Sequence, residues 1–343
     1  MSYKKRARSY GLRILILLIL VIFFSIFAIT QGSVEIPASN VVKIIMGEAA
    51  ETAIKPSHIF IVQTVRLPRI LLSAMVGGLL AVVGAAFQAI FKNPMADPYV
   101  MGVSSGAAFG ATIGILFGIG MSFMGIGAIS LMAFIGALST MLLVYSLALV
   151  GRKISTTSIL LAGVVVNALL SSVISFLMLM NHNKIDQIVT WTMGSFNAAS
   201  WQHVMFIALP AFLGAVYLMF HAREYNALLL GEEDAQNIGV NVSSVKKRTL
   251  VLASLLSALS VAVSGIIGFV GLIVPHVFRM IFGPDHRILL PASFLGGALF
   301  MTMCDTLARS LLENMEIPVG IITSIFGGPF FLFLLLKHKK DMV

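Results

Sequence analysis

Charge is scarce in this sequence. Asp, Glu, Lys and Arg make up 11% of its 343 residues, where a soluble domain carries about a quarter. Hydrophobic residues make up 58%. That balance cannot cover a soluble globule, and several apolar runs reach the roughly 20 residues needed to cross a bilayer. Cysteine is scarcer still. Cys304 stands alone, which excludes an intrachain disulfide and a cysteine-based metal cluster. Set in an apolar run, it reads as a small packing residue. The seven histidines fit no metal spacing. No G-x-x-x-x-G-K-[ST] occurs, so the usual phosphate-cradling loop is missing. No convergent nucleophile, acid–base pair or metal site suggests an enzyme, and no cofactor is expected. The net charge of +9 would suit nucleic acid, but the basic residues are scattered between apolar runs, as in the cytoplasmic loops of a membrane protein.

What is present is a series of spans. The hydropathy pattern predicts ten, near 12–31, 68–91, 98–118, 124–150, 157–180, 201–220, 248–267, 269–282, 288–309 and 317–336. The seventh and eighth come from one apolar stretch too long for a single helix. "SGIIGFVGLIVPH" breaks it with Gly265, Gly268, Gly271 and Pro275. The first run is longer than a signal-peptide core and no A-x-A site follows it, so it reads as an uncleaved span. With the N-terminus inside, only Lys43, Lys55, Arg66, Arg69, Lys184 and Arg309 of the 23 Lys and Arg residues fall outside. An even number of spans returns the C-terminal "KHKKD" to the cytoplasm.

Arg66 and Arg69 therefore stand on the outer face, against the general bias, at the entrance to the second span. One account is snorkelling at a helix end. Arg309, at an outer helix end of another span, favours a second: three arginines forming a sparse positive surface for a soluble partner bearing carboxylates. Asp305 is the clear intramembrane acid, four residues before Arg309, and an ion pair between them is the simplest expectation. "GAAFGATIGILFG" carries Gly106, Gly110, Gly114 and Gly118 in overlapping G-x-x-x-G steps, read as close helix packing in lipid. In "LGEEDAQNIGVNVSSVKKR" (230–248), Glu232, Glu233 and Asp234 favour a helix start and Gly239 a stop. Ala235 and Ile238 would give a small apolar contact, unless the segment is a solvated loop. "SAMVGGLLAVVGAAFQ" (73–88) and "SALSVAVSGIIGFVGL" (257–272) share a small-residue texture and hint at an inverted repeat.

Four long stretches, in order, resemble the iron-chelate and cobalamin permease family of ABC importers. They are "RLPRILLSAMVGGLLAVVGAAFQAIFKNPMADPYVMGVSSGAAFGA", "GEEDAQNIGV", "GFVGLIVPHVFRMIFGPDHRILLP" and "DTLARSLLENMEIPVGIITSIFGGPFFLFLL". The resemblance runs from about residue 14 to 337. It implies an all-α, polytopic type II importer fold of ten helices, with residues 1–343 forming one permease domain in the inner (cytoplasmic) membrane, both termini cytoplasmic. It implies as partners a second permease subunit, identical or related, two cytoplasmic ATPase subunits, an extracytoplasmic substrate-binding protein and membrane lipid, but no nucleic acid. The cargo would be a metal chelate, a ferric siderophore being the family's commonest, with haem and cobalamin the rivals. By the same resemblance Arg66, Arg69 and Arg309 meet carboxylates of the binding protein. Segment 231–247 is a coupling segment seated in the ATPase, with Gly231, Glu232, Glu233, Asp234, Ala235, Ile238 and Gly239 at its centre. Asn93, Met95, Ser155, Thr156 and Thr157 match positions of a cytoplasmic gate, although Asn, Ser and Thr also serve as plain helix caps. The alternative from another class is a carrier driven by an ion gradient, for which a mid-membrane acid would be needed.

Overall fold

The computed structural model describes residues 3–32, 34–48, 54–118, 122–123, 126–150, 153–154, 156–312 and 315–340. Its helices are α1 (Tyr3–Thr30), α2 (Ala38–Met46), α3 (Pro56–Phe60), α4 (Leu67–Phe91), α5 (Val103–Phe117), α6 (Ala128–Ala148), α7 (Thr156–Met180), α8 (Ile185–Thr192), α9 (Trp201–Phe220), α10 (Ala222–Leu230), α11 (Glu232–Asn237), α12 (Val242–Ser264), α13 (Val270–Phe282), α14 (His286–Ser310) and α15 (Val319–Lys340). Two pairs of two-residue strands are the only extended pairing among the described residues. The protein is all-α. Among the described residues, seven helical stretches are long and apolar enough to cross a membrane, and Val103–Phe117, Val270–Phe282 and Val319–Leu334 are shorter apolar helices. Each of the ten expected spans coincides with one of these.

The second span departs from expectation at its start. It is one helical stretch from Pro56 to Phe91, so Arg66 and Arg69 lie within a helix and not at its entrance. Pro68 has no N–H and crowds the carbonyl four residues back. The chain absorbs this with a π-helical turn over Ile61–Arg66, in which the Leu67 amide bonds the Val62 carbonyl. Beyond it α4 is apolar on all sides and almost wholly buried, as expected of a central pillar. It packs against α9, α12, α13 and α14.

The break expected between the seventh and eighth spans is present. α12 ends at Gly265 (φ 69°), and Phe269 takes a left-handed conformation (φ 70°) before α13 begins. Gly271 and Pro275 lie inside α13, not in the break. Pro275 leaves the Gly271 carbonyl without its helical donor, and the Gln88 side-chain amide of α4 supplies one at 3.2 Å. Stretch 257–272 therefore crosses a break, whereas 73–88 is continuous helix, and the inverted-repeat reading gains no support from local structure.

Glycines set the closest helix approaches. A Cβ on Gly77 would lie 2.3 Å from the Gly297 carbonyl oxygen, and one on Gly297 2.2 Å from that of Gly77, so α4 and α14 meet backbone to backbone. Gly106 and Gly110 seat α5 on α6 in the same way, with Gly136 and Met132 carbonyls as neighbours. Gly114 also faces α6, while Gly118 has open space and ends α5 in a left-handed turn. Replacing Gly297 by Leu should lower stability by about 1–3 kcal/mol or prevent folding. Gly127→Ala, at an open site, should leave the melting temperature unchanged. Thermal melting of the detergent-purified variants checks both.

Candidate functional site

The structure brings Arg66, Arg69 and Arg309 together where α1 ends, but it turns them inward. They are 5%, 6% and 5% exposed. The last carbonyls of a helix lack intrahelical donors and carry partial negative charge. Arg66 donates from Nη1 to the carbonyls of Ile29 (2.6 Å) and Thr30 (3.1 Å), and from Nη2 to that of Val34. Arg309 donates from Nη1 to the Gln31 carbonyl at 2.8 Å and from Nη2 to that of Ala28. Two guanidinium groups thus cap α1. This corrects the expectation of an exposed positive surface: the chain itself supplies the acceptors.

Arg69 has a different partner. Its Nε and Nη2 donate to the Asp305 carboxylate at 2.9–3.1 Å, and its Nη1 to Glu316 Oε2 at 2.8 Å. Asp305 is fully buried. The pair expected on one helix face exists, with Arg309 Nε 3.7 Å from Asp305 Oδ2, but Arg69 holds the shorter, forked contact. A bidentate fork of this kind fixes geometry as well as charge. Beside it opens a cavity of about 820 Å³ lined by Gln31, Glu35, Arg309 and Ser310, among others. Glu316 was not singled out from sequence. Its signal was an acid facing the same end as three arginines.

At the opposite end of α4, Asn93 and Met95 line a cavity of about 410 Å³ with Leu272, Ile273, His276 and Phe330. Asn93 Oδ1 accepts from the Met95 amide at 2.9 Å, a local turn. Thr157 is exposed on the first turn of α7 and does not line that cavity. Thr156 begins α7, and Ser155 lies outside the described residues. The exposed face of α7 also carries Asn167, Ser171, Ser172 and Ser175. Ser172 and Ser175 each donate to a carbonyl four residues back.

The 231–247 segment is a built structure. α11 starts after Gly231, with Glu232, Glu233 and Asp234 in its first turn, where acids suit the helix dipole. Gly239 (φ 91°) turns the chain out, and the Val240 amide bonds the Ala235 carbonyl at 2.9 Å, a helix-ending pattern. Lys246 holds Glu232 at 2.6 Å. Ala235 is buried and Ile238 is 65% exposed, so the two do not form one apolar contact: Ala235 faces the protein and Ile238, with Leu229 and Leu230, faces out.

α10, which leads into this segment, is fastened to the start of α14. Asn226 donates to Asp285 Oδ1 at 2.8 Å and accepts from the His286 amide at 2.8 Å. Burial would push the Asp285 carboxyl up, but hydrogen bonds from Arg287 and Asn226 hold it well below the usual carboxylate range.

This arrangement is a polytopic helical bundle with two structured ends and no catalytic constellation among the described residues. The chain belongs to the FecCD transport family, whose model matches residues 17–337. It is 47% identical to the cobalamin import system permease protein of Halobacterium salinarum over 81% of this chain and 74% of the relative. It is 40% identical to the hemin transport system permease protein of Yersinia pestis over 83% of this chain and 85% of the relative. A solved structure of a metal-chelate type ABC transporter in an inward-facing conformation superposes with a TM-score of 0.82. It is 32% identical, covering 95% of this chain and 99% of that one.

Two outcomes follow from the geometry. Asp305→Ala leaves two buried guanidinium groups short of their shared carboxylate and should cost about 3–5 kcal/mol, read as a large drop in melting temperature. Asp285, whose acidity is raised in the folded protein, stabilises above the ordinary carboxylate range and loses that contribution as pH falls below about 4. Asp285→Asn should flatten the acid limb of a stability–pH curve.

Proposed function

We propose that this chain is the membrane permease subunit of an ATP-driven importer for a metal chelate, working by alternating access. The observation that carries the reading is the close structural likeness to a metal-chelate type transporter along almost the whole chain, together with family membership. Residues 1–343 act as one permease domain in the cytoplasmic membrane with both termini inside. Two such subunits, identical or related, flank the pathway, and two ATPase subunits bind inside. The rigid α11, anchored through Ala235 and presenting Ile238, Leu229 and Leu230 outward, is suited to an ATPase socket. Rigid-body motion passes through a packed helix better than through a loop.

In this reading the substrate-binding protein docks at the arginine end, where Arg69 Nη1 faces the partly exposed Glu316, while Arg66 and Arg309 hold the end of α1 in place beneath it. The gate at the inner end includes Asn93 and Met95, which share a cavity wall with α13 and α15, together with Ser155, Thr156 and Thr157. The cargo is a ferric siderophore in the first instance. Cobalamin and haem are the second reading, favoured by the relatives that import cobalamin and hemin. Uptake in cells lacking the gene, with and without its return, separates them. Radioiron supplied on several siderophores should be rescued. Rescue by cobalamin or haem alone would keep the importer and replace the cargo. Uptake that persists without the ATPase and collapses with an uncoupler would overturn the ATP-driven reading.

A further inference from the structure

The Arg69 guanidinium is shared unequally. Its Nε and Nη2 face Asp305, a carboxylate with no solvent exposure that also lies 3.7 Å from Arg309. Its Nη1 faces Glu316, whose side chain is 38% exposed. Asp305 cannot leave without stranding two buried cations. Glu316 can, because its carboxylate is already at the water boundary, where an ion pair contributes little. Its position is not accidental: the next residue, Ile317, donates its amide to the Ala308 carbonyl at 2.9 Å, which holds this stretch of backbone against the end of α14. The Nη1 edge is thus the one part of Arg69 that a carboxylate from solvent can reach, and a carboxylate of the chain already sits there.

We propose that Glu316 is an internal occupant of Arg69, competing with a carboxylate of the docking protein for the Nη1 edge. This rests on the reading that the arginine end is the docking face. Exchange of one carboxylate for another leaves the charge balance unchanged, so docking and release both proceed without leaving the Nη1 edge of Arg69 unpaired. Without Glu316 the Nη1 edge of Arg69 would stay open to the incoming carboxylate, and a bound protein would be released more slowly.

The test measures binding of the system's substrate-binding protein to the assembled transporter in nanodiscs, at about 0.05 and 0.5 M salt. Wild type, Glu316→Gln and Glu316→Ala are compared, with melting temperatures to confirm folding. Wild-type affinity should fall with salt, and both variants should bind about two- to fivefold tighter at low salt, chiefly through slower release. Binding no tighter in both variants, with the wild-type salt dependence intact, overturns the role of Glu316 alone. A wild-type affinity indifferent to salt overturns the docking reading and this inference with it.

Discussion

One buried contact organises the arginine end of the molecule: the fork of Arg69 on Asp305. A guanidinium and a carboxylate removed from water are tolerated only when each finds the other in good geometry. Here the two side chains come from α4 and α14, the same helices whose Gly77 and Gly297 backbones touch further along. The glycines let the helices approach and the ion pair fixes their register. Arg66, in the π turn that leads into α4, and Arg309, on α14, then reach across to the carbonyls that end α1. Three helices are joined by polar groups that lipid could not satisfy.

α14 connects this network to the other end of the fold. It runs without a break from Asp285, tied to α10 through Asn226, to Asp305 and Arg309. α10 is followed directly by the short α11. A displacement of α11 therefore meets a continuous, tightly packed helix and not a flexible linker, which is the physical requirement for coupling the two faces of a transporter.

Much of this was legible in the sequence, for reasons that differ by element. The spans are visible because every lipid-crossing helix must be apolar over its length, and the α12–α13 break because glycines gather there. The true start of the second span was not legible. Pro68 looks like a helix entrance, and only a π turn upstream lets the helix pass through it. The three arginines do gather at one end, as their places in the spans implied, but their inward orientation depends on acceptors supplied by α1 and α14, distant in the chain. Asp305 illustrates the same limit: spacing on one helix pointed to Arg309, while the stronger partner lay 236 residues away. In α11 the residue types marked start and stop, yet which of Ala235 and Ile238 faced the protein depends on how α11 packs against α10 and α12.

The most direct measurement is a double-mutant cycle on Arg69 and Asp305, with Arg69→Met, Asp305→Leu and the pair together, followed by thermal melting of the purified protein. If the fork joins α4 to α14, each single change strands a buried charge and melts much lower, and the double variant recovers a large part of the loss. A double variant whose loss equals the sum of the two singles would contradict that account.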